Sequence, residues 1–550
     1  MSIKPQPIPP VPEETRRIAQ AAFPKGNIYL QMRDELGEIY TDDLFSDLYS
    51  SEGQPAFSPW RLALVLVMQF AENLSDRQAA EAVRARLDWK YALSLEVTDT
   101  GFHYSILSEF RTRLVNNTKG YLLLDVLLKR LTEKGLLKAR GQQRTDSTAI
   151  IGAVRELDQL ELVGESLRYT LNTLATVAAE WLLEQVQPEW FERYGERVEE
   201  YRLPESKAER QLLSQQIGQD GYHLLNAIYT ATALPWLAHI PAVELLRQVW
   251  LQQYWLDEEV VKRRTPDNMP PAGQWIRSPY DPEVRYGRKR GWDWMGYKVH
   301  LTETCDPDLP HFITQVETVP AIEQDHHALT SIQADLAAKQ LLPTQQLVDA
   351  GYVSAKRILH SRDQHQLELV GPVHVDPSWQ AKSEAAYNVS SFSVDWEAER
   401  VICPAGQHSV SWNLSQDAKG ESIVQVLFAK QTCADCPARS RCTKARKTGR
   451  SMTLRYPPER HELLQAMRQR QQTAEFKAIY QRRAGIEGTF SQVVRNCGLR
   501  HARYWGLQKT HLQNLASAAA TNLLRFVCWL NEVPFAKTRT SRFAALAASF

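Results

Sequence analysis

Three stretches of this chain carry residue types suited to chemistry. The first, YQRRAGIEGTFSQVVRNCGLRHARYWG from Tyr480 to Gly506, holds Arg482, Arg483, Arg495, Arg500 and Arg503 around one acid, Glu487. Glu487 is the only acidic residue between Glu475 and Glu532. Tyr480, Arg483 and Glu487 stand at i, i+3 and i+7, a spacing that puts them on one helix face. The other two stretches place Asp146 in GQQRTDSTAIIGAV and Asp349 in TQQLVDAGYVS, both strand-like runs. A carboxylate at a strand end faces the crevice where open α/β sheets hold ligands. Phosphodiester cleavage uses two divalent ions, one activating the attacking oxygen and one stabilising the leaving oxygen. Mg2+ keeps several waters, so a few carboxylates suffice to hold it. A lone acid among arginines fits that division: the carboxylate takes the cation and the arginines take a polyanion. The plainer alternative pairs Glu487 with Arg483 across one helical turn and leaves the aspartates as turn caps.

A further set is cysteine. Cys403 lies in CPAG, and Cys433, Cys436 and Cys442 lie in CADCPARSRC. A C-x2-C pair is the usual half of a tetrahedral zinc site, and Cys403 with Cys442 can supply the rest. Such a zinc is structural, because no ligand position stays open; four reduced, buried thiols are the alternative. Asp325, in EQDHH beside His326 and His327, reads as a helix N-cap in preference to a metal ligand. Asp293, in WDW, falls near a hairpin edge, and its tryptophans read as packing residues.

The elements that must position these residues change texture along the chain. Its 550 residues, 43% hydrophobic, suffice for two to four domains with real cores. The net charge of +1 hides an asymmetry. Residues 151–220 carry 7 lysines and arginines against 14 acids, whereas 431–510 carry 17 against 5. The second block is the electrostatic footprint of polyanion contact. MSIKPQPIPPVPEETRR contains no apolar run for a signal peptide. No stretch has the 18 or so apolar residues of a membrane span. An intracellular, cytoplasmic chain without disulfides is expected.

A Pro-rich arm (1–20) precedes helical periodicity over 21–138, where a helix with Arg111 and Arg113 follows two short ones, as in a helix-turn-helix reader or a plain bundle. A strand with Asp146 follows in 139–154, then an acidic helical insertion (155–280). Strand signals return over 281–372, where WMGYKVHLTETC and HFITQVETV make an antiparallel pair. A helix from Asp325, the strand ending at Asp349 and a strand in LELVGPV complete that stretch. A β-rich insertion with the cysteines (373–457), helices over 458–535 and a tail (536–550) end the chain. The pattern is α/β.

RTDST, YGRKRGWDWMGYKVHLTETC, VDAGY and YQRRAGIEGTFSQVVRNCGLRHARYWGLQKTHLQN together resemble the Asp-Asp-Glu transposases of bacterial insertion sequences. The likeness is to the branch with an N-terminal helical domain and a cysteine-bearing insertion, and it runs from about Phe57 to Arg525. The resemblance implies a ribonuclease H-like mixed-sheet core, with Asp146, Asp349 and Glu487 as ligands of Mg2+ or Mn2+. It also implies hydrolysis at the element's ends and attack of the freed 3′-OH on target DNA. Tyr480 and Arg483 then contact DNA, and Arg495, Arg500 and Arg503 are expected as further DNA-binding residues. Where relatives place a basic residue seven positions after the glutamate, this chain has Val494, with Arg495 next to it. The expected partner is double-stranded DNA, bound by a homodimer or larger assembly at the nucleoid. The alternatives are a domesticated DNA-binding protein and a metal-dependent nuclease without strand transfer.

Overall fold

The computed structural model describes residues 1–534 apart from Glu259, Arg290, Glu384 and Lys419; the expected tail, 536–550, lies outside the described residues. Seven α-helices open the described chain: α1 (Glu13–Ala22), α2 (Ile28–Leu36), α3 (Pro59–Ala71), α4 (Asp76–Ala85), α5 (Leu87–Ala92), α6 (Ser105–Asn116) and α7 (Leu122–Glu133). Strand β1 (Gln142–Ile151) follows, and then the acidic insertion. The insertion comprises α8 (Gln159–Val177), α9 (Ala179–Gln185), α10 (Pro188–Tyr194), α11 (Lys207–Thr230), α12 (Pro241–Gln253) and a hairpin, β2 (Tyr254–Asp257) with β3 (Val260–Arg263). Its core is its own, built on Leu167, Leu224, Leu246 and Trp250.

The sheet resumes with β4 (Arg285–Lys289), β5 (Trp292–Thr304) and β6 (Ile313–Pro320). Helix α13 (Asp325–Ala338), β7 (Gln345–Leu347), α14 (Ala355–His365) and β8 (Glu368–Val370) complete it. β5 and β6 pair antiparallel, as the alternation predicts, and β5 pairs antiparallel with β1. β7 and β8 run parallel to β1. The order β6-β5-β1-β7-β8, with β4 extending the hairpin from β5, is that of a ribonuclease H-like core.

The β-rich segment contributes β9 (Ser393–Asp395), β10 (Arg400–Ile402), β11 (Ser411–Gln416) and β12 (Ser422–Leu427). Two short helices, α15 (Lys430–Ala434) and α16 (Arg439–Cys442), and β13 (Ser451–Arg455) follow. Helices α17 (Pro458–Arg470), α18 (Ala474–Gln481), α19 (Gly485–Cys497) and α20 (Leu507–Leu530) close the described chain.

The central helix of the molecule is α20. Small residues at Ala516, Ala518, Ala519 and Ala520 are buried and allow close approach, and α20 packs on both α3 and β6. Its Asn522 accepts from Ile313 N (2.7 Å) and donates to Ile313 O (2.8 Å). The outer edge of β6 is thereby covered, not left open to another strand. N-terminal helices, sheet, α19 and α20 share one apolar core.

Two sequence readings change here. Arg111 does not face outward to read DNA: it is buried, bonds Asp76 (2.5 Å) and lies over the Tyr504 ring. Arg113 likewise turns in to Leu48 O (3.1 Å). A single helix carrying Tyr480, Arg483 and Glu487 is also not found, because a 3-10 turn over Arg482–Ala484 separates α18 from α19. Arg144 explains the break. Its Nη1 takes the carbonyl of Arg482 (2.6 Å), and its guanidinium fills the space where a side chain on Gly485 would stand.

Candidate active site: two aspartates in register beneath a helix

β1 is covered on both faces, and its alternation sorts its side chains. Arg144, Asp146 and Thr148 face the α18–α19 side, where their partners are Arg482, Arg483 and Arg500. Thr145 and Ser147 face the other side and meet Gln346 and Asp325.

The parallel register pairs Gln142, Gln143 and Arg144 with Gln345, Gln346 and Leu347. Asp146 lies two residues past Arg144, and Asp349 two residues past Leu347. The two acids therefore leave neighbouring strands at the same level, close enough for their charges to repel. Asp349 sits just beyond the strand, where its Oδ1 accepts from Gly351 N (2.8 Å). Asp146 is pushed above the usual carboxylate range, by burial first, and Asp349 adds to the push. The Arg483 guanidinium opposes it, and Arg483 Nη2 donates to Asp146 Oδ2 at 2.5 Å. Arg483 is thus spent on Asp146, not on Glu487. Glu487 is exposed in the first turn of α19, with no ion pair or hydrogen bond among the described residues.

A buried network fixes α19 over the strands. Glu303, fully buried, accepts from Arg144 Nε (2.7 Å), Arg525 Nη1 (2.7 Å) and Thr489 Oγ1 (2.6 Å). Burial alone would push its carboxyl up, yet Arg525 and Arg144 hold it below the ordinary range. Arg525 also takes Thr489 Oγ1 (2.6 Å). β1, β5, α19 and α20 are therefore clamped at one charged point, two residues from Glu487. Sequence reading passed over Glu303, Arg144 and Arg525. The signal was a charge inside LTETC, a run otherwise fit for burial.

The remaining DNA candidates divide. Tyr480 is half-buried and stacks on Phe476. Arg495 is exposed near the end of α19. Arg500 bonds Thr148 Oγ1 and Ala149 O, both at 3.1 Å. Arg503 bonds Leu74 O (2.7 Å) and Asn73 Oδ1 and covers Phe70, which ties the basic stretch to the N-terminal helices.

Cys403, Cys433, Cys436 and Cys442 line one cavity of about 370 Å³ together with Phe392, Phe428 and Arg450. Gln407 N donates to Cys403 Sγ and Arg450 N to Cys433 Sγ, each at 3.4 Å. Burial pushes the Cys442 thiol up, against the pull of Arg450. Among the described residues, the group of three ligand-type side chains drawn within 4.8 Å is Asp158, Glu161 and Glu200, and neither the cysteines nor Asp146, Asp349 and Glu487 are drawn that close. Those three acids already serve as a helix cap and as partners of Arg155 and Arg210.

Residues 402–527 match the family described as Transposase DDE domain. Residues 17–113 match Transposase domain (DUF772). Together they support a DDE transposase of the insertion-sequence type. The matches support DNA as the partner, polynucleotidyl transferase activity and divalent-metal use in general. The first spans Glu487 and the cysteines; neither spans Asp146 or Asp349. No curated protein matches this chain. No helix among the described residues is long and apolar enough to cross a membrane.

Proposed function

We propose that this protein cleaves the ends of an insertion sequence and joins the freed 3′-OH to target DNA, using Asp146, Asp349 and Glu487 as its cation ligands. The observation that carries the reading is the common level of Asp146 and Asp349 on adjacent parallel strands, with Arg483 bringing the α19 end over them. The donor set fits a hard divalent cation such as Mg2+ or Mn2+: carboxylate oxygens only, one of them on an unpartnered acid. Bound there, two such ions supply the activation of the attacking oxygen and the stabilisation of the leaving one.

The chain's own residues do the rest. Arg483 and Tyr480, beside the acids, hold the DNA backbone in place, and exposed Arg495 extends that contact. Arg500 and Arg503 brace the segment against β1 and the N-terminal helices. The four cysteines hold a structural zinc, for which the two N–H···S contacts already orient Cys403 and Cys433. The working form on DNA is a dimer or larger assembly.

The test is metal-dependent cleavage and end-joining by wild type, Asp146→Asn, Asp349→Asn and Glu487→Gln, each checked for folding and DNA binding. All three substitutions are expected to lower activity at least about 1,000-fold, several kcal/mol of transition-state stabilisation, with binding kept. A folded Glu487→Gln protein that cuts as well as wild type would overturn the assignment. Cutting without joining would identify a nuclease instead.

A further inference from the structure

The crevice holds one more carboxylate, which the sequence assigned to helix capping. Asp325 does not cap α13: the N-cap is Gln324, with no side-chain cap hydrogen bond. Instead, Asp325 Oδ1 accepts from Lys298 Nζ (2.8 Å) and Ser147 Oγ (3.1 Å). Ser147 N also donates to Asp146 Oδ1 (2.8 Å). One serine thus ties Asp325 to the first aspartate of the site.

The second oxygen is the informative one. Asp325 Oδ2 has no hydrogen-bond donor among the described residues. A Cβ added to Gly351 would stand 3.0 Å from Asp349 Oδ1 and 3.4 Å from Asp325 Oδ2. The two carboxylates therefore face one small volume, kept open because residue 351 has no side chain. The backbone does not demand a glycine there, since Gly351 is not among the positive-φ residues. An acid in the first turn of a helix gains from the helix dipole. That gain does not explain a second acid opposite it or the missing side chain between them. Two anions facing one volume repel, and a cation between them removes the repulsion. Lys298 answers only the Oδ1 side, and it is shared with Glu323 O (2.7 Å).

We propose that Asp325 is a further acidic residue of the cation site, sharing with Asp349 the ion-binding volume above Gly351. This rests on the reading of the aspartates as a cation site given above. Asp325 enters from α13, whereas Asp349 comes from the chain just past β7, so the shared volume is faced from two elements.

The test is Mn2+ binding to the full chain without DNA, by calorimetry and by loss of the free-ion paramagnetic signal. Wild type is compared with Asp349→Asn, Asp325→Asn and Gly351→Ala, each checked for an unchanged melting curve. Asp325→Asn and Gly351→Ala are each expected to weaken Mn2+ about tenfold or more; the alanine keeps every charge and only fills the volume. If Asp349→Asn loses Mn2+ while the other two bind within twofold of wild type, the aspartate site stands and Asp325 is only a partner of Lys298. A loss confined to Asp325→Asn also overturns the proposal, because the shared volume is then irrelevant. If Asp349→Asn binds as wild type does, the aspartate site itself falls and this inference falls with it.

Discussion

The aspartate crevice and the cysteine cavity both gather ligand-type side chains, but opposite means hold them. The crevice sits on a large core, where strand register sets the level of the acids and a fully buried Glu303 joins four elements. The cavity sits on a small one, built on Phe392, Val401, Val424, Phe428 and Leu454. A core that size leaves little apolar area for stability, which is where a bound metal contributes most. The difference teaches where each region is vulnerable: the first to loss of a buried charge, the second to loss of a ligand.

The largest expected effect follows from that contrast. Glu303→Gln leaves Arg144 and Arg525 buried without their counter-charge and should destabilise the main core by about 3–5 kcal/mol. Urea unfolding followed by tryptophan fluorescence measures it, and a loss under ~1 kcal/mol would show that the clamp is weak.

Acid should separate the regions next. Burial holds His300, His511 and His461 down to about 4. Between pH 6.5 and 4 the unfolded chain binds protons that the folded chain refuses. Stability from these groups is therefore complete above pH 6.5 and lost as pH falls toward 4, by about 1.4 kcal/mol per pH unit for each histidine. His300 and His511 belong to the main core, whereas His461 packs on Trp396 beside the cysteine unit. Denaturant midpoints at pH 7, 6 and 5 should fall about twice as steeply for the core as for that unit.

Cys436→Ser tests the other side. Zinc content measured on the purified chain should drop from one per chain to none, and a protease should cut within 403–450. The core's unfolding free energy should change by less than about 0.5 kcal/mol, as for a substitution remote from it. Smallest of all, Arg495→Ala should leave both regions folded and lower the salt dependence of DNA binding by about one phosphate contact, read by fluorescence anisotropy over a salt series.

Much of the crevice was legible because strands announce themselves locally. Alternation around Asp146 put that acid on a strand, where it stands mid-strand in β1; the short apolar run put Asp349 at a strand end, just past β7, and the antiparallel pair between them was plain. What was not legible depends on contacts far apart in sequence. The break between α18 and α19 is imposed by Arg144, more than three hundred residues earlier. Arg111 reads as a surface cation until Asp76 and Tyr504 enclose it. Asp325 fits an N-cap by position alone, and only Lys298 and Ser147, on two other strands, draw it away. Local pattern names an element; the partner of a charge is settled by tertiary packing.

The Arg483–Asp146 pair is a bridge with one end free. Nη2 alone holds the carboxylate, and Nε has no hydrogen-bond partner among the described residues. A guanidinium carries five N–H donors in a fixed fork. On the proposed reading one side chain can keep its acid and meet a phosphate, so the arginine splices the carboxylate to the backbone it is to cut.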